Sequence, residues 1–160
     1  MNPVADDSAS DHVQSAGPFR RALVAWDGSA DAVAALRAAT AIVGGRSGHV
    51  VALSVLPAHP PAEARDDRAS GAPSQVHRMK TTFEATRATL AKTSSVRIDL
   101  HTAEGRQVAG SICDYAADHG FDLLVIGRHG DGGLMHPKLG HIAESAARSC
   151  RIPVLLISAS

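Results

Sequence analysis

Apolar and polar positions divide the chain into alternating strand-like and helix-like segments. The run RALVAW from residue 21 is almost wholly apolar and stops at Asp27, Gly28 and Ser29, residues that favour a tight turn and the capping of a helix. Residues 30–43 place Val33, Leu36, Ala39 and Val43 at helical spacing, and Gly44 and Gly45 supply a left-handed stop. A second apolar strand spans 49–56. Proline and charge then break the pattern, so 57–74 reads as an exposed loop. Val76, Met79, Phe83 and Leu90 restore a helical rhythm over 75–92. Val96, Ile98 and Leu100 alternate with Arg97, Asp99 and His101, the mark of a strand with one wet face at a sheet edge. Val108, Ile112 and Tyr115 define a third helix that ends at Gly120. Residues 121–126 form an uninterrupted buried strand, 142–149 a short helix, and 153–157 a closing strand.

Strands alternating with helices of this length predict an α/β domain: a five-stranded, doubly wound parallel sheet with helices on both faces. In such sheets ligands bind beyond the carboxyl ends of the strands, where strand order reverses. Attention therefore falls on Asp27 after the first strand and Gly127 after the fourth. Residues 1–18 show no periodicity and read as a disordered arm, leaving 19–160 as the single domain.

Composition narrows the functional classes. Apolar residues make up 44% of 160, enough for a full core without disulfide staples. Net charge is zero and aromatics are 3%, which argues against nucleic acid as a partner. The polar, acidic start lacks the basic end and apolar run of a secretory signal, and no stretch is apolar for long enough to span a membrane. A cytoplasmic protein is expected. Cys113 and Cys150 have no metal-type spacing and read as reduced packing residues rather than as a disulfide or reactive thiols.

The segment 127–145, GRHGDGGLMHPKLGHIAES, carries five glycines between a buried strand and a helix. Glycines let a backbone approach a ligand closely, and the helix start adds partial positive charge, so the pattern suits a phosphate; a plain surface loop is the competing reading. Arg128 and Lys138 offer cations, and His129, His136 and His141 further donors. The histidine spacings of seven and five do not match paired metal ligands. Trp26, alternating with Asp27, reads as core packing rather than a ligand contact.

Gly127, Gly130 and Gly140 fit a G-x2-G-x9-G spacing, AWDGS at 25–29 opens the fold, and RIPVLLI at 151–157 closes it. Together these motifs resemble the universal stress protein family of the nucleotide-binding type, over roughly residues 19–158. The resemblance implies a Rossmann-like sheet of the adenine nucleotide alpha hydrolase type. It also implies ATP, or AMP or ADP, as a regulatory ligand, with Mg2+ carried by the phosphates. Asp27 would accept from the adenine amino group or sugar edge, and Val55 would pack on the base. Amides of Gly127, Gly130 and Gly140 would hold the ribose-phosphate, flanked by Arg128 and His129. A homodimer joined through strand 153–157 and no catalytic residue are further implications.

Two positions depart from the family pattern. His141 stands where Ser or Thr follows the third glycine, and Ala143 where a second hydroxyl is common. A hydrogen bond to a charged group contributes about 1.5–3 kcal/mol, so two lost hydroxyls weaken phosphate binding by roughly a hundredfold unless His141 compensates. A protein-interaction module that has lost the nucleotide is therefore the alternative, with a slow nucleotide hydrolase behind it. In the hydrolase, Asp131 or Glu144 would position water.

Overall fold

The computed structural model describes residues 18–45, 47–58, 73–130 and 139–159. The readings of 1–17 as an arm, of 59–72 as most of a loop, and of Asp131, His136 and Lys138 lie outside them. The elements run β1 (Arg21–Ala25), α1 (Ala30–Val43), β2 (His49–Pro57), α2 (Gln75–Leu90), β3 (Arg97–Gly105), α3 (Val108–Asp118), β4 (Leu123–Gly127), α4 (His141–Ser149) and β5 (Val154–Ile157). All strand pairs are parallel, in the order β3-β2-β1-β4-β5. The chain first winds outward from β1 through β2 to β3, then returns to the far side of β1 as β4 and β5. The reversal falls between β1 and β4.

Burial explains why the central strands read as unbroken apolar runs. Ala22, Val24, Val50, Ala52, Leu123 and Val125 face α1 and α2 on one side, while Leu23, Val51, Leu53, Leu124 and Ile126 face α3 and α4 on the other. Both faces are covered, so neither needs polar residues. β3 lies at one edge, as its alternation predicts, and β5 at the other. β3 continues beyond residue 101, because its backbone stays in register with β2 as far as Pro57 opposite Gly105. The tail of that strand, TAEG, carries no alternation that a sequence pattern can show.

Turn chemistry sets where the helices start and stop. Ser29 caps α1 by accepting from the Ala32 N–H, and Asp27 accepts from the Ser29 N–H at 2.9 Å. Asp27 therefore shapes the turn but is not itself the cap. Gly28, Gly44 and Gly45 have positive φ, the conformation that glycine adopts without steric cost. Trp26 is buried, meets Phe83 edge-on with ring centroids 5.8 Å apart, and donates from Nε1 to the Met79 carbonyl. It ties α2 to the end of β1.

One carboxylate joins three parts of the chain. Asp31, in the first turn of α1, accepts from the Ala159 N–H at 2.6 Å, from the His129 N–H at 2.9 Å, and lies 3.2 Å from His129 Nδ1. Burial raises its carboxyl pKa, but the donors from Ala159 and His129 outweigh that and hold it below the ordinary carboxylate value. Asp99 on β3 follows the same pattern: burial pushes it up, and His49 and Arg97 pull it down further.

The cysteines correct the sequence reading. Cys113 in α3 and Cys150 at the C-cap of α4 are disulfide-bonded, with Cα atoms 5.0 Å apart. They are 37 residues apart, and only the stacking of α3 beside α4 on one face of the sheet brings them together. That adjacency is a tertiary fact with no local signature.

Two predictions follow from these links. Closing a loop of this length restricts the unfolded chain by about 3–4 kcal/mol, so reduction should lower the calorimetric melting midpoint by roughly 10 °C. Asp31 and Asp99, both depressed, contribute stability that is present above about pH 4 and lost as pH falls below it. Urea denaturation of Asp31→Asn should show a loss of about 1–3 kcal/mol at pH 7 and a shallower acid decline than the parent. An unchanged acid limb would assign that stability elsewhere.

Candidate functional site

Strand order reverses between β1 and β4, and the helices that follow them, α1 and α4, begin there. Between them lies a cavity of about 550 Å³. Asp27 and Val55 line it, together with Gly127, Arg128, His129 and Gly130 at the exit from β4 and Gly140 and His141 at the start of α4. The residues singled out along the sequence are thus brought to one place.

Each glycine is fixed by a different close approach. A Cβ on Gly127 would sit 2.8 Å from Asp31 Cβ and 3.0 Å from the Asp31 carbonyl carbon, so this residue is small because α1 rests on the strand end. A Cβ on Gly130 would lie 3.0 Å from Asp27 Oδ2, which brings the second glycine against the carboxylate. On Gly140 it would lie 2.9 Å from the Arg128 carbonyl oxygen. The Gly140 N–H donates to that same oxygen at 2.9 Å, and the Arg128 N–H donates to Ile157 O at 2.7 Å. The expectation that the Gly140 amide points at a phosphate therefore meets a competing backbone partner: the bond closes the loop on itself.

The positive pole lies one residue further on. Gly140 is the N-cap of α4 and has no side chain to cap it, so the N–H groups of His141, Ile142 and Ala143 are the helix's own orphan donors. All three residues line the cavity. A helix start of this kind favours an anion. Ala143, where a hydroxyl is absent, is buried against the core, and Ile142 is 42% exposed.

The remaining wall is apolar. Leu53 and Ile126 come from the sheet, Val108 and Ile112 from α3, and Val76 and Met79 from α2. Their spacing along the sequence marks them as core, and their second role emerges only where the elements that carry them meet around the cavity. Asp31 was also missed. Its sole signal was an acidic residue in the first turn of a helix, which is commonplace. Its hold on His129 fixes both the backbone and the ring orientation of a cavity residue.

Chemically, the cavity offers a carboxylate acceptor, apolar surface for a flat ring, and a helix N-terminus with Arg128 and His141 nearby. Among the described residues no three His, Cys, Asp or Glu side chains are grouped to hold a metal ion, and no helix is long and apolar enough to cross a membrane.

Comparisons with known proteins agree with this architecture. Among solved structures, universal stress protein UspA from Lactobacillus plantarum is 22% identical, covers 87% of this chain and 97% of its own, and superposes with a TM-score of 0.64. The universal stress protein from Archaeoglobus fulgidus in complex with dAMP is 17% identical, with coverages of 87% and 97% and a TM-score of 0.61. A universal stress protein family protein from Arabidopsis thaliana with AMP bound is 16% identical, with coverages of 88% and 92% and a TM-score of 0.60. No curated protein matches by sequence. At these identities the structures establish the fold, and the profile of the universal stress protein family adds a match over residues 18–158. Since that match runs through the whole folded segment rather than one motif, the chain belongs to the universal stress protein family.

Proposed function

We propose that the cavity binds an adenine nucleotide, held as a regulatory ligand rather than consumed as a substrate. The observation that carries this reading is the meeting of Asp27, Gly130 and the α4 N-terminus around one apolar-walled space. Asp27 accepts from the adenine amino group or the sugar edge, and Val55 packs on the base. Gly127 and Gly130 let the backbone approach the ribose-phosphate, with Arg128 and His129 beside it. The α-phosphate meets the first turn of α4, where His141 donates in place of a hydroxyl. The dAMP and AMP carried by two structurally similar proteins support this ligand class. ATP, ADP and AMP share the portion these residues reach, and Mg2+ would arrive on the outer phosphates of the longer ones.

A ligand role rather than turnover is supported by the engagement of nearby carboxylates. Asp31 is held by His129 and Ala159, and Glu144 pairs with Arg148 at 2.6 Å. The edge position of β5, with Leu156 exposed, supports a homodimer through that strand. A second reading rests on Ala143 and the engaged Gly140 amide: an interaction module of the same fold without nucleotide.

Calorimetric titration with AMP, ADP and MgATP separates the two. Saturable binding is expected, weakened about 10- to 100-fold by Asp27→Ala and blocked by Gly130→Val. No heat and no thermal shift with any of the three at millimolar concentration would leave the interaction module standing.

A further inference from the structure

The disulfide lies between two helices that both shape the cavity. Cys113 follows Ile112, a cavity-lining residue of α3, and Cys150 caps the far end of α4, whose first turn lines the same cavity. α4 is poorly anchored by packing alone. It fully buries only Ala143 and Ala146, whereas α1 buries Leu36 and Val43 as well as three alanines and a threonine. Methyl groups bury little apolar area, so the covalent link to α3 supplies much of what fixes α4 in place.

The bond is not needed to close the core. Leu23, Leu36, Leu53, Phe83, Ile112 and Leu124 are fully buried, a core of large side chains that the small disulfide-dense domains lack. Both cysteines are half-buried rather than sealed inside, and exposed Arg151 beside Cys150 favours the approach of an anionic thiolate.

We infer that Cys113 and Cys150 form a reversible thiol–disulfide site, read by dithiol reductants and disulfide oxidants, whose oxidised state fixes α4 and with it the anion-facing wall of the cavity. In the reducing direction a dithiol's thiolate attacks one sulfur and the Cys113–Cys150 bond breaks. The other sulfur leaves as a thiolate and takes a proton. The second thiol of the reagent then resolves the mixed disulfide, so two electrons pass to the protein and the reagent departs as a cyclic disulfide. Reoxidation by a small disulfide runs the same exchange in reverse. The consequence for ligand affinity rests on the nucleotide reading above; the consequence for α4 does not.

Hydrogen-exchange mass spectrometry on the whole protein, before and after dithiothreitol, reads α4 directly, and AMP titration reads the cavity. Reduction without denaturant should speed exchange of the 144–149 amides about tenfold or more while leaving α1 unchanged, and should weaken AMP about fivefold or more. The double variant Cys113→Ser, Cys150→Ser should match the reduced protein and ignore dithiothreitol. If that variant does not fold, reduction of the parent carries the test. The inference is overturned if the bond resists dithiothreitol in the native protein, if α4 exchange is unaltered once alkylation shows both thiols free, or if α4 loosens and AMP affinity stays the same. Faster α4 exchange with no AMP binding in either state would support the α4 clamp and reject the nucleotide reading instead.

Discussion

The close seating of α1 on the end of β4 is the contact on which the site depends. There is no room for a side chain at Gly127, because Asp31 and the first turn of α1 occupy that space. With the strand end pressed against the helix start, Asp31 reaches the His129 amide and ring, and the chain leaving β4 turns toward Asp27 rather than away from it. The cavity forms at the reversal because two crossovers depart on opposite faces of the sheet. What makes it a defined site rather than a cleft is that both loops are pinned to the same helix terminus.

Much of this architecture was legible in the sequence, for a physical reason. Buried parallel strands read as apolar runs, helices as a three-to-four spacing, and glycines mark the stops, so the five strands and four helices appear in order. The eight residues proposed for binding also line one cavity, since strand ends and loops next to a reversal must meet. Two features had no local trace. The second half of β3 is strand because β2 beside it continues to Pro57, not because TAEG favours extension. The disulfide exists because two helices stack, and no spacing rule links residues 37 apart on different elements.

The glycines show how a correct assignment can rest on an incomplete cause. Spacing marks Gly127, Gly130 and Gly140 as a set, and a ligand is the natural common explanation. In the structure they answer to three separate neighbours: a helix start, a carboxylate and a carbonyl. The approaches of Gly130 to Asp27 and of Gly140 to Arg128 each join two of the proposed ligand contacts, whereas Gly127 is set by Asp31. A loop of this kind must satisfy its own backbone before it can serve a ligand, and the Gly140–Arg128 bond is that internal requirement made visible.

The latch between Asp31 and Ala159 gives the chain end a mechanical meaning. The second residue beyond β5 and the second residue beyond β4 hang from the two oxygens of a single carboxyl group. Force or pairing applied along the β5 border of the sheet therefore reaches, across one side chain, a residue that lines the cavity. Few residues have to move for the periphery of this molecule to be felt at its centre.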